Sequence, residues 1–300
     1  MPVDPFSSLF NDAADWQVIA SGQAEGKLSS IRNADGKPGL RLEYDFHGGG
    51  GFVVMRKVLR LTLPGSFEFG FQIRGEGPPN HFEFKVADPD GANVWRHQQL
   101  DYRLPETWES FRLTERDLPF AWGPAGGGGP GEVGAVEFVI AAGPGGKGSL
   151  ELAEPSFTDA TFYQPLSVYA TSHQPGMSAE AVFLPDPGAG WRAAGDDDDP
   201  VWLVDFGRTQ RFGGVVIDWP ENLPPRSYVM ETSADGETWI PVHHAAAAAG
   251  SRSHIPVPRA EARHLRISFA NAGCAAIRAF ALRPDSFSST PNEFVHSIVA

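Results

Sequence analysis

The sequence predicts an all-β protein built as two tandem antiparallel β-sandwiches of jelly-roll type, and three observations carry that prediction. Apolar and polar residues alternate with a period of two in short runs, and glycine or proline cuts each run off. The 34 glycines and 26 prolines supply turns throughout, and long helical patterns are few. Finally, 300 residues exceed the usual size of one domain, while a hydrophobic share of 41% is enough for two cores.

The first half reads strand by strand. Asp15-Trp16-Gln17-Val18 opens a strand, and Leu40, Leu42, Tyr44 and Phe46 share the apolar face of the next clear one. His47 followed by Gly48 to Gly51 is not a phosphate loop, because no Gly-Lys-Ser/Thr and no helix pattern follow. Phe67, Phe69, Phe71 and Ile73 then oppose Glu68, Gln72 and Arg74, and Phe82, Phe84 and Val86 oppose His81, Glu83 and Lys85. After the Asp88-Pro89-Asp90-Gly91 turn, Asn93, Trp95, His97 and Gln99 share a face, which we assign to the polar side. That places an exposed indole among charged and amide groups. Trp108 to Leu113 is a further strand, Phe120 to Pro124 with Gly126 to Gly129 a loop, and Val136, Phe138 and Ile140 a core face opposite Glu137. Leu150 and Leu152 close this domain, residues 1–160.

These patterns, with Phe82-Glu83-Phe84-Lys85, Asn93-Val94-Trp95 and Phe120-Ala121-Trp122-Gly123, resemble the jelly-roll carbohydrate-binding modules found beside bacterial glycoside hydrolases. The resemblance implies a structural calcium ion, with Glu43 as its ligand. The closing strand, however, has Ala153 where that family has an Asp.

In the second half, Val201 to Phe206 and Val215 to Trp219 are β-rich runs punctuated by Gly207 and Pro220, and Asp235-Gly236 stands between two more. Two antiparallel hairpins are expected. The series Trp202-Leu203-Val204-Asp205-Phe206-Gly207, Val215-Val216-Ile217-Asp218-Trp219, and Tyr228 through Ser233-Ala234-Asp235-Gly236 to Trp239 resembles the discoidin domain, the C-type domain of clotting factors V and VIII. Arg263-His264-Leu265-Arg266-Ile267 and Ala275 to Phe280 resemble its closing strands. The resemblance implies a sandwich over residues 161–285 that binds galactosides, other glycans or lipid head groups through loops at one end. His173, Gln174, Trp191, Arg192, Glu221 and Asn222 are the loop candidates, and Trp202, Trp219 and Trp239 fall in strand motifs and are expected in the core. A loop calcium at Asp186 is also implied, although Pro187 replaces the glycine that follows the family's Asp. Phe162 to Pro165 reads as the linker between domains, and residues 286–300 as a linker or the start of a further domain.

A formal net charge of -13 repels phosphate backbones and anionic bilayers, so nucleic acid and membrane are not expected partners and a neutral ligand fits better. Cys274 is alone, which excludes an internal disulfide and reads as a buried thiol. No run reaches transmembrane length and Met1 to Phe10 lacks the pattern of a signal peptide, whereas the resemblance implies a periplasmic or extracellular setting. Asp196 to Asp199 reads as a solvated loop tip, and His243-His244 lacks the second ligand pair that zinc requires. No cofactor is required.

Sugar rings lay apolar faces on indoles and present hydroxyls to charged and amide groups. Arg74, Glu83, Lys85, Asn93, Trp95 and His97, with Trp122 at the edge, have that composition. A stack covering ~80 Å² contributes roughly 2 kcal/mol at about 25 cal/mol per Å². The expectation is a noncatalytic glycan- or polysaccharide-binding region, joined to a catalytic domain beyond residue 300. Two alternatives stay open: a module that packs on the catalytic domain without binding sugar, and a hydrolase using Glu68, Glu83 and Glu137.

Overall fold

The computed structural model describes residues 6–161, 167–184, 188–221, 223, 226–287, 291 and 294–295. The chain divides into two compact units, Met1–Ala160 and Thr161–Ala300. Among the described residues no helix is long and apolar enough to cross a membrane.

The first unit contains, in chain order, β1 (Gln17–Ala20), β2 (Glu25–Arg32), β3 (Pro38–Asp45), β4 (Phe52–Thr62), β5 (Phe67–Glu76), β6 (Asn80–Ala87), β7 (Val94–Tyr102), β8 (Glu109–Thr114), β9 (Phe120–Trp122), β10 (Glu132–Ala141) and β11 (Lys147–Asp159). They form two antiparallel sheets, ordered β1-β4-β10-β6-β7-β9 and β2-β3-β11-β5-β8. The alternating apolar positions of both sheets face each other. Phe69 and Phe71 of β5 meet Phe84 of β6 and Phe138 of β10, with ring centroids 5.5 Å apart for Phe69–Phe84 and 5.2 Å for Phe71–Phe138. Each such buried ring stabilises the sandwich by roughly 1.5–3 kcal/mol. The segment expected as a loop at Phe120 is instead the edge strand β9, paired with Val94 and Trp95 of β7.

The second unit contains β12 (Ser167–Ala170), β13 (Trp191–Arg192), β14 (Val201–Asp218), β15 (Arg226–Ser233), β16 (Ile240–Ala248), β17 (Arg252–Phe269), β18 (Ala276–Ile277) and β19 (Ala279–Arg283). The first of the two expected hairpins is absent. Val201–Phe206 and Val215–Asp218 belong to one long strand, β14, whose partner along its length is β17. Gly207 lies where the register shifts between Asp205 and Gln210, so it bends the strand instead of reversing the chain. That bend lets β12 pair near residue 204 and β19 near residue 216 of the same strand, which folds the sheet around one core. The second hairpin is present: β15 and β16 pair antiparallel, and Asp235 at the turn accepts the N–H groups of Glu237 and Thr238 at 2.9 and 2.8 Å.

Trp202 and Trp219 are core, as expected, but Trp239 is half-exposed beneath Arg266, whose guanidinium carbon is 4.1 Å from the ring centroid. Phe287, expected in a linker, is buried against Gly214, where a side chain would meet the phenyl ring at 2.5 Å. Packing in the second unit thus reaches residue 287. The expected linker at Phe162 to Pro165 lies outside the described residues.

Candidate functional site

Strand register separates the side chains that the sequence grouped together in the first unit. Trp95 pairs with Val86 and His97 with Phe84 across β6–β7, so both point to the side on which Phe84 and Val86 are buried. The sequence pattern puts Asn93, Trp95, His97 and Gln99 on the polar side; Trp95 and His97 instead line the core. Trp95 is 6% exposed, packs edge-on against Phe120, and its Nε1 donates to the Gly128 carbonyl at 2.6 Å. It offers no open face to a sugar. The His97 imidazole is half-buried beside Phe111, and burial holds its pKa below the ordinary value. Asn93 is occupied in the turn, donating to Asp88 at 2.6 Å and accepting from the Ala125 N–H at 2.8 Å.

The polar side of β6–β7 carries Glu83 and Lys85 together with Arg96 and Gln98, which the sequence reading missed. Glu83 is buried and receives Lys85 at 2.9 Å, Arg96 at 3.2 Å and Gln98 at 2.6 Å. Trp122, 46% exposed on β9, has Lys85 Nζ 5.5 Å and the Arg96 guanidinium 5.7 Å from its ring centroid. Arg74 belongs to the other sheet, held by Glu151 at 2.6 Å and stacked 4.6 Å from Trp108. The third expected grouping also divides. Glu137 is ion-paired with Arg56, Glu83 with two cations, and Glu68 lies on β5 of the opposite sheet, 3.6 Å from Arg112. No pair of these carboxylates stands free across a cleft.

Glu43 lines a groove of about 600 Å³ on the outside of the β2-β3-β11-β5 sheet, with Arg41, Glu76, Lys147 and Ser149. It pairs with Arg41 at 3.5 Å and stands opposite Lys27 and Ser149 in the strand register. Glu151, the nearest acid on the closing strand, is held by Arg41 and Arg74, and Glu154, next to Ala153, is engaged by Lys37 and by Asn33 at 2.8 Å. A calcium ion needs six to eight oxygens, and these donors do not fit one. Among the described residues no three His, Cys, Asp or Glu side chains converge as a metal site. Asp186 and Asn222 lie outside the described residues.

In the second unit a pocket of about 350 Å³ is lined by Trp191, Arg192, Glu221, Pro220, Met177 and Arg278 with the 188–190 loop. Two short strands build its wall, because β13 pairs with β18 and places Arg192 opposite Ala276 and Trp191 opposite Ile277. Trp191 is only 1% exposed and its Nε1 donates to the Ser172 carbonyl at 2.8 Å, so the indole supports the wall and is no stacking platform. The loop can lie this close because Gly190 adopts φ 147°, where an added Cβ would stand 2.7 Å from the Ile277 carbonyl oxygen.

Arg278, read in the sequence only as part of a closing strand, is aimed by Asp218. Its Nη2 donates to that carboxylate at 2.5 Å, and Arg252 donates twice more, at 2.5 and 3.0 Å. The Arg252 bond, ahead of the other charges, holds the Asp218 carboxyl below its usual pKa. Arg192 has no side-chain partner among the described residues, and neither has Glu221. His173 and Gln174 are not in the lining; His173 Nδ1 is 3.1 Å from the Gln174 carbonyl, and Gln174 donates to Ala193 at 3.1 Å. Among the described residues, the expected loop cluster brings Trp191, Arg192 and Glu221 to the pocket, joined by Arg278.

Residues 167–280, which include this whole wall, match the family described as the F5/8 type C domain. Those residues form an F5/8 type C domain. One curated relative, a mannan endo-1,4-beta-mannosidase of Bifidobacterium adolescentis, is 29% identical over 101 residues, which cover 33% of this chain. The matched stretch spans about a tenth of that enzyme's length, 10%. Among solved structures, chitosan-binding module 1 from a chitosanase/glucanase of Paenibacillus sp. IK-5 is similar at 19% identity, covering 40% of this chain and 98% of its own, with a TM-score of 0.36. The family 11 carbohydrate-binding module of a cellulosomal cellulase of Clostridium thermocellum is similar at 13% identity, covering 49% and 88%, with a TM-score of 0.37.

Proposed function

We propose that this chain is a noncatalytic carbohydrate-binding region, and that the F5/8 type C domain holds its sugar in the Arg192–Arg278–Glu221 pocket. The observation that carries the reading is the pocket itself. Its volume of about 350 Å³ falls within the roughly 300–1,000 Å³ of small-ligand sites, and side chains of both donor and acceptor character converge in it. A sugar needs that mixture, because each hydroxyl both donates and accepts. The match to part of a mannan-cleaving enzyme supports placing the region as an accessory to a larger bacterial polysaccharide-active enzyme, linked to its catalytic domain and working in the periplasm or outside the cell. The ion-paired state of Glu83 and Glu137 argues against hydrolysis on the first sandwich, since a general acid or nucleophile has to be free to exchange a proton or a bond.

One feature of the first unit favours a second role beside sugar binding. Ile19, Phe52 and Val58 on β1 and β4 are exposed apolar side chains at one edge of its sheet, suited to packing on a linked domain.

Affinity electrophoresis of the intact chain through gels containing mannan, chitosan, β-glucan or pectin tests the main reading. Retardation by one polysaccharide, lost in Arg192→Ala while the melting temperature is unchanged, is the expected result. Passage through every gel without retardation would overturn it.

A further inference from the structure

We infer that the pocket of the F5/8 type C domain selects an acidic sugar, one whose ring carries a carboxylate. This rests on the glycan-binding reading above and names the ligand class of the same site. Net charge argues the other way, since a chain at -13 repels anions at long range. At physiological ionic strength, however, charges further than about 8 Å from the ligand are largely screened, so the groups lining the pocket decide.

Those groups are locally cationic. Arg192 reaches the pocket with no carboxylate of its own among the described residues. Arg278 is fixed through one nitrogen to Asp218, and that carboxylate is already answered by Arg252, so its charge does not cancel Arg192. A free guanidinium presents paired N–H groups in a planar fork that matches a carboxylate, whereas a neutral hydroxyl uses only one of them.

Glu221 also lines the pocket, and it discriminates between kinds of anion. A simple anion gains nothing from it and is repelled. A uronic acid can set its carboxylate on Arg192 and donate a ring hydroxyl to Glu221, so the pair of opposite free charges is answered within one ring. The buried Trp191, whose ring is closed to stacking, leaves polar recognition as the main source of affinity here.

Calorimetric titration of the intact chain tests this with trigalacturonate and trimannuronate beside galactotriose and mannotriose, at about 50 and about 300 mM salt. The expected result is at least a tenfold preference for an acidic trisaccharide. Higher salt should weaken it, Arg192→Ala should abolish it, and Arg192→Lys should recover part of it, with both variants melting as the parent does. Equal or tighter binding of a neutral trisaccharide that Arg192→Ala still abolishes would overturn the acidic preference and leave the glycan site standing. Acidic binding untouched by Arg192→Ala would also overturn it, by placing the site elsewhere. No binding of any trisaccharide, together with no retardation by any polysaccharide, would overturn both readings.

Discussion

Asp205 offers the sharpest test of how the second sandwich is held together. Its carboxylate accepts the Gly207 N–H at 2.7 Å and two parallel bonds from Arg263, both at 2.9 Å, with His264 Nε2 at 3.5 Å. The Arg263 bond is the main cause of a carboxyl pKa lowered from 3.8 to about 2. A depression of that size corresponds to about 2.5 kcal/mol between the two protonation states. Arg263 is 45% exposed and the Asp205 side chain 17%, so solvent screening reduces the contribution to roughly 1–1.5 kcal/mol. Because the folded pKa lies below the unfolded one, this stabilisation is present above about pH 4 and disappears as pH falls toward about 2. Asn at this position keeps the acceptor for Gly207 and removes the charge. Urea unfolding of the parent and Asp205→Asn, followed from about pH 7 to about pH 2.5, should therefore show a gap of roughly 1–1.5 kcal/mol that closes across the acid range. A gap of the same size at both ends would refute the argument, because a charge-independent loss does not titrate.

Trp95→Ala should destabilise the first unit by about 3–5 kcal/mol in denaturant, since it empties a buried indole site; a loss below about 1 kcal/mol would mean that the ring is open to solvent. Trp122→Ala, by contrast, should shift the same unfolding transition by no more than about 1 kcal/mol, the scale of its exposed cation–π contacts with Lys85 and Arg96. Gly190→Ala should lower the second unit's stability by roughly 1–3 kcal/mol and weaken glycan retention with it, as the added methyl meets the Ile277 carbonyl; unchanged melting and retention would show that the wall tolerates a wider loop.

Period-two alternation determined most of both cores without help from tertiary structure. Once Phe67 is inside, Phe69, Phe71 and Ile73 must follow, because successive side chains of a strand leave on opposite faces. The same rule correctly placed Trp95 and His97 on one face, yet it carries no information on which face turns inward. At β7 that was decided by β9, which covers the indole with Phe120, and by the Gly128 carbonyl, which receives its N–H. Composition could not foretell it, since the run holds polar residues on both sides.

Long-range pairing settled the remaining points. Gly207 looks locally like a hairpin turn, but Val201–Phe206 has its partner about sixty residues away in β17, where Asp205 pairs with His264, so the glycine bends a strand instead of reversing it. The pocket depends on the same kind of information. Trp191 and Arg192 were legible as loop residues of a discoidin-like end, while Arg278 was hidden in a closing-strand motif. Only the β13–β18 pairing and the aim given by Asp218 bring it to Arg192. Local sequence fixes which side chains leave a strand together; the neighbour that covers or pairs with that strand, set by distant parts of the chain, decides what they meet.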